Sequence, residues 1–293
     1  MRSKRIALLT LAAAFMHAQA QRVITHGGVP TVSPDGSHIA FLSDRSGADE
    51  LYVISPDGTG ELQLTTTPDD KSALAWTADG KQILFAAFAN DSSRLYAINP
   101  DGKQQRVIAS VPGRAPTPSP DGSRLLYMSG PWTATRLMIS ASDGSSPQQI
   151  TDGSSIAWTN HWSPDGKRIA FTGRIDPKGE LAIFVMNVDG TGRGQVSHFP
   201  PGSGNAQWPL WSPDGRQLAI QVNRLHEHNA HIWIIDAKTG YARKLAAHDQ
   251  PYLDETPAWF PDGKRIAFQS NRTGKMEVWV MNADDSGPHQ ITR

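Results

Sequence analysis

WSPDGKRIAF, residues Trp162–Phe171, is one of six variants of a ten-residue unit that recurs along the chain and sets its architecture. The other copies are VSPDGSHIAF (Val32–Phe41), WTADGKQILF (Trp76–Phe85), PSPDGSRLLY (Pro118–Tyr127), WSPDGRQLAI (Trp211–Ile220) and WFPDGKRIAF (Trp259–Phe268). Their Asp-Gly pairs begin at Asp35, Asp79, Asp121, Asp165, Asp214 and Asp262, at spacings of 44, 42, 44, 49 and 48 residues. That period belongs to propeller blades. Within a copy, Ser opens a tight turn, Pro presets φ, Asp tolerates the third position, and Gly takes the position that favours φ > 0. A short β-prone run follows, so each copy predicts a hairpin of two strands.

Each hairpin is followed by two further strands. In the first unit these are Leu51–Ile54 and Leu62–Thr65, separated by a Pro-Asp-Gly-Thr-Gly turn; in the last they are Val278–Met281 and Gln290–Thr292. Six such units without useful helical periodicity predict an all-β chain, a six-bladed β-propeller of four-stranded antiparallel blades, with a long twisted sandwich as the second choice. Trp76, Trp162, Trp211 and Trp259 read as packing between blades, each worth about 1.5–3 kcal/mol when fully buried. A strand-like Val23–Thr25 is left over, and it competes with Gln290–Thr292 for the place that joins the first and last blades.

Residues 1–20 read as a cleaved signal peptide: Arg2, Lys4 and Arg5, an apolar run Ile6–Phe15, then Ala18-Gln19-Ala20. The run is too short for a membrane-spanning helix, which needs about 20 residues, and no later stretch supplies one. The expected location is periplasmic or secreted, and residues 21–293 form the propeller. Taking three basic residues from the 28 Lys and Arg leaves 25 against 28 Asp and Glu, a net charge of −3. Nucleic acid is therefore not an expected partner, since phosphate binding needs a clustered basic surface. With zero Cys, disulfides, thiolate metal sites and a Cys nucleophile are excluded.

The SPDGKRIAF unit, followed by Phe184–Asn187, Asp189-Gly190-Thr191-Gly192 and an Ile-Thr-like strand, resembles the WD40-like (PD40) repeat of the TolB-like family over Pro30–Arg293. The family namesake is a periplasmic component of the Tol-Pal envelope system. It binds the peptidoglycan-associated lipoprotein through its propeller, carries an α/β domain ahead of it, and contacts TolA through its N-terminal segment. About nine residues separate the expected cleavage site from the first blade, so the resemblance implies a propeller lacking that N-terminal domain. It implies a non-enzymatic module of the cell envelope that binds a protein or peptide, with no catalytic residues and no cofactor.

In an up-and-down blade the Asp-Gly turns share one face of the disc, and the irregular loops share the other. The longest of these loops gather His198, His226, His228, His248, Tyr252, Asp254 and Glu255, a candidate binding rim. His161 occupies the row of Thr31, Ala75, Thr117, Leu210 and Ala258, near the variable-loop end. If that row faces the central channel, His161 lines its mouth; otherwise it bonds to a neighbouring blade. Arg45, Arg174, Arg224 and Arg272 recur at nearly one distance after the turn and read as structural contacts. His226 and His228 lie at i and i+2, so an extended segment points both imidazoles to one side. They then bind a divalent metal ion with Gln221, His231, His161 or a carboxylate, or they are solvated loop residues. Oligogalacturonate lyases resemble this chain in their repeats and hold manganese with histidines and a glutamine. A metal-dependent carbohydrate-active enzyme is thus the alternative, with Arg174, Lys178, Arg224 and Arg243 as the cations for uronate carboxylates.

Overall fold

The computed structural model describes residues 28–67, 69–89, 92–108, 113–131, 134–152, 157–174, 179–224, 229–245 and 252–293. Blade 1 comprises β1 (Gly28–Val32), β2 (Ile39–Ser43), β3 (Glu50–Ile54) and β4 (Leu62–Gln63); blade 2 comprises β5 (Asp70–Trp76), β6 (Ile83–Ala89), β7 (Ser92–Ile98) and β8 (Arg106–Val107). Blade 3 holds β9 (Arg114–Pro118), β10 (Arg124–Ser129), β11 (Arg136–Ala141) and β12 (Gln148–Gln149); blade 4 holds β13 (Ala157–Trp162), β14 (Arg168–Gly173), β15 (Ala182–Asn187) and β16 (Gly194–Gln195). Blade 5 is built from β17 (Asn205–Trp211), β18 (Gln217–Arg224), β19 (Asn229–Asp236) and β20 (Ala242–Lys244); blade 6 from β21 (Asp254–Trp259), β22 (Arg265–Ser270), β23 (Glu277–Asn282) and β24 (His289–Gln290).

Every blade is antiparallel and uses four strands consecutive in sequence. The first strands are innermost and pack on one another around the ring, β21 meeting β1 to close it. A six-bladed propeller therefore replaces the sandwich alternative. In the last blade the outer strand is His289–Gln290, paired with Val280 and Trp279, whereas Val23–Thr25 lies outside the described residues.

Side-chain and backbone hydrogen bonds together hold the repeated turn. In blade 4, Ser163 Oγ donates to Asp165 Oδ1 (2.5 Å) and accepts the Arg168 N–H (2.9 Å), while the Gly166 N–H donates to the Ser163 carbonyl (2.8 Å). The six turn glycines have φ between 66° and 73°, where a Cβ is strained. Each lies over the second turn residue of the preceding blade: Gly36 over Pro261, Gly80 over Pro34, Gly166 over Pro120, Gly215 over Pro164, Gly263 over Pro213, and Gly122 over Ala78. The fourth strands are shorter than the sequence suggests. Beyond them the Thr65, Thr151, Ser197 and Thr292 hydroxyls accept the N–H groups of Leu51, Leu137, Ile183 and Val278 at 2.8–2.9 Å, replacing ladder bonds. This explains the Thr or Ser that ends those units.

The core is partitioned among the seams between blades. Trp162, only 2% exposed, packs with Leu126 and Leu137 of blade 3, donates its indole N–H to the Thr117 carbonyl (3.0 Å) and lies 4.7 Å beneath the Arg124 guanidinium. Trp211 sits likewise beneath Arg168 (4.5 Å), and Trp76 donates to the Thr31 carbonyl (3.2 Å). The tryptophans thus join consecutive blades, as their recurrence suggested.

Candidate functional site

Each inner strand slips register once near its start, leaving a non-glycine residue at positive φ: Val29, Ala73, Ala115, Thr159, Trp208 and Thr256, all between 37° and 56°. Such bulges re-aim the flanking side chains, and each left-handed residue costs of order 1–3 kcal/mol. Six of them ring the channel at its variable-loop end. Around blades 5, 6 and 1 this ring is tied by polar side chains.

Gln221 of β18 and Gln269 of β22 occupy equivalent positions, where the other blades carry Leu42, Ala86, Met128 and Thr172. Each accepts a hydrogen bond from the bulged residue of the next blade: Thr256 N–H to Gln221 Oε1 (3.0 Å) and Val29 N–H to Gln269 Oε1 (2.9 Å). Their amide nitrogens converge on one carboxylate. Gln221 Nε2 donates to Glu255 Oε1 (3.1 Å) and Gln269 Nε2 to Glu255 Oε2 (2.7 Å). Burial holds the Glu255 carboxyl above its ordinary pKa; the Gln269 bond opposes this and the nearby Asp254 charge reinforces it. Gly28 shows how tightly the clasp is built, since a Cβ there would lie 2.8 Å from Gln269 Oε1.

Asp254, 2% exposed, belongs to a separate group. It accepts from Ser270 Oγ (2.6 Å) and bidentately from Arg272 (Nε 3.2 Å, Nη2 2.7 Å), and that guanidinium lies 5.9 Å from the Tyr252 ring. The reading of Arg272 as a structural cation fits this geometry, and Arg45 shows the same habit, pairing with Glu61 (2.6 Å) over the Tyr52 ring. Tyr252, Asp254 and Glu255 are therefore brought together at one end of the channel.

The other rim candidates fall elsewhere. His198 is exposed beside Gly240, in the turn between β19 and β20, on the face of the uniform turns. His161 precedes Trp162 at the turn end of β13, not the variable-loop end. Its row faces the following blade: Thr117 bonds to Asn160 Oδ1 (3.0 Å) of the next blade, and Ala258 enters the core shared by blades 6 and 1. His161 is half-buried, with Nδ1 withdrawn from solvent and without a hydrogen-bond partner, and desolvation lowers its pKa to about 4. His226, His228, His248 and Lys178 lie outside the described residues, as does the side chain of Arg224. Arg243 donates to the Ala283 carbonyl (2.6 Å) in a turn of blade 6. Among the described residues no three His, Asp or Glu side chains gather as a metal-ligand set. Gln221, the glutamine offered to a metal, has its carbonyl oxygen occupied by the Thr256 N–H and its amide by Asn223 (2.6 Å) and Glu255. Gln221 is thus already engaged within the protein, while the two histidines offered with it lie outside the described residues.

The TolB beta propeller domain model matches residues 8–135 and 130–293. No curated protein matches the chain. Among solved structures, a putative TolB from Agrobacterium tumefaciens is 21% identical with a TM-score of 0.69, covering 83% of this chain and 87% of that one. TolB from Acinetobacter baumannii is 20% identical with a TM-score of 0.74, over 89% of this chain and 64% of that one, so this chain spans under two thirds of that protein. An oligogalacturonate lyase in complex with manganese is 18% identical with a TM-score of 0.62, over 90% of this chain and 76% of that one. At these identities the structural likenesses establish the fold alone. With its six Asp-Gly turns, twenty-four strands among the described residues and a family match over nearly its whole length, the chain belongs to the TolB beta propeller domain family.

Proposed function

We propose that this propeller is an exported, periplasmic, non-enzymatic module of the cell envelope that binds a protein or peptide through its variable-loop face, over the mouth of the channel at blades 5, 6 and 1. One observation carries the reading: the polar groups there are committed to one another. Asp254 is held by Arg272 and Ser270, and Glu255 by Gln221 and Gln269. Such a network, with Asp254, Gln221 and Ser270 buried, makes a rigid polar support beneath the variable-loop face, suited to holding a recognition surface in one shape. The basic start and the Ala-Gln-Ala site before Gln21 support export. No helix among the described residues is long and apolar enough to cross a membrane.

The test is photo-cross-linking in intact cells, with a benzophenone amino acid at Tyr252 and, as a control, at Tyr241, which is 71% exposed on the turn face. Covalent adducts at Tyr252 and none at Tyr241 are expected. Adducts at Tyr241 alone would overturn the proposed face. Metal analysis of the purified protein beside a His226→Ala/His228→Ala variant separates this reading from the metal-dependent lyase: about one equivalent of manganese lost in the variant would favour the enzyme.

A further inference from the structure

Around the ring one seam departs from the others. Pro118 stands where blades 2, 4, 5 and 6 place a tryptophan. Blade 1 also lacks it, with Val32, but there the fully buried Phe260 of blade 6 supplies a ring and packs with Ile39 and Phe41. The seam between blades 2 and 3 has no such replacement. In the third strand Ala97 takes the place of Val53, Ile139, Val185, Ile234 and Val280, but it pairs with Leu84 where blades 1, 4, 5 and 6 carry Ala40, Ala170, Ala219 and Ala267, so that rung keeps its volume. On the turn face Ala78 replaces the proline over which the next glycine lies. Beside Pro118 and Ala78 lies a groove of about 1060 Å³, opening on the uniform-turn face, with Leu84 and Leu125 in its lining and no aromatic residue.

The charges on the lining are unequally engaged. Lys81 lies 3.7 Å from Asp79, Arg106 donates to Gln82 (3.0 Å), and Arg124 is stacked over Trp162. Asp121 and Asp143 are exposed and form no ion pair among the described residues. Each is oriented by its own turn, Asp121 by Ser119 and Ser123, Asp143 by the Ser145 N–H.

We propose that this groove is a second docking site, for a segment of a partner protein that presents an aromatic side chain beside a basic one. The ring takes the place left by the missing indole, against Pro118 and Leu125, and the basic group meets Asp121 and Asp143 at the rim. Ring burial supplies the affinity, and the carboxylates choose the neighbour of the ring. The site lies on the opposite face from the channel mouth and stands independently of the function proposed for that mouth.

The test is a nuclear magnetic resonance titration of the protein with acetyl-Lys-Trp-Lys-amide, with acetyl-Lys-Ala-Lys-amide and acetyl-Glu-Trp-Glu-amide as controls. Shifts centred on Leu84, Ile108 and Leu125 are expected, with both controls weaker by about tenfold or more. Pro118→Trp fills the place itself and should weaken binding by about tenfold; Asp143→Asn, which removes a rim carboxylate, should weaken it by a smaller factor. Equal binding of the alanine peptide, shifts confined to the variable-loop face, undiminished binding by both variants, or no binding at all would overturn the proposal.

Discussion

Glu255 is a carboxylate whose neighbours are two amides and another acid, and that company sets its chemistry. The glutamines satisfy both oxygens but bring no positive charge, so desolvation prevails and the folded-state pKa rises. The linked stability has a definite sign: with the folded pKa above the unfolded one, ionisation of Glu255 opposes folding. The penalty is absent while both states are protonated, sets in as pH climbs past the ordinary glutamate value, and is complete above the folded pKa. Carboxyl-resolved nuclear magnetic resonance should show Glu255 titrating above the other glutamates, and Glu255→Ala should abolish the matching fall in stability. A midpoint at or below the ordinary value would contradict the clasp. The turn aspartates behave oppositely: Asp35 and Asp121, held to about 2 by their serine hydroxyls, stabilise the fold above the unfolded aspartate pKa and lose that effect as pH falls toward 2.

At the scale of the strand, the inner bulges make the site possible. A regular β21 would pair the Thr256 N–H within the ladder; the slip leaves it for a side chain of the preceding blade. Gln269 does the same for Val29 across the closing seam, so Gln269→Leu, which installs the residue of the corresponding position in blade 1, tests the clasp with a side chain the repeat accepts. It strips partners from the Val29 N–H and Glu255 Oε2 and should destabilise by about 1–3 kcal/mol, measured by urea unfolding. A change within a few tenths would show the clasp to be idle. None of this is local in sequence: Gln221 reaches a residue 34 positions on, and Gln269 one 240 positions back. The strands were legible because their turns repeat; their partners across seams were not, because each blade writes its half separately. The usable signal was departure from the repeat, glutamine where neighbouring units are apolar or Thr.

For the molecule as a whole, the recurring Asp-Gly turn announced both the number of blades and the strand order, since its period leaves room for four strands and no helix. The tryptophans were legible for the same reason. Trp162→Ala empties a seam between two blades and should cost about 3–5 kcal/mol in urea unfolding; a loss below about 1 kcal/mol would mean the blades do not lean on that indole. What escaped the reading was placement on the disc. The row of His161 and the long loop of His198 point in sequence to the variable rim, but strand direction sends the end of β13 to the opposite face, and the segment after β16 runs back along the turn of blade 5.

The seam between blades 6 and 1 has a mechanical meaning as well. Blade 1 comes first in sequence and blade 6 last, so among the described residues this joint is held through space, by the Phe260 core, the Gln269 bond and the contact of Gly36 with Pro261. A pull that separates blades 6 and 1 therefore falls on non-covalent contacts, while the other five joints are each also crossed by a peptide linker. Tension would open the disc there first, as a clasp opens a bracelet.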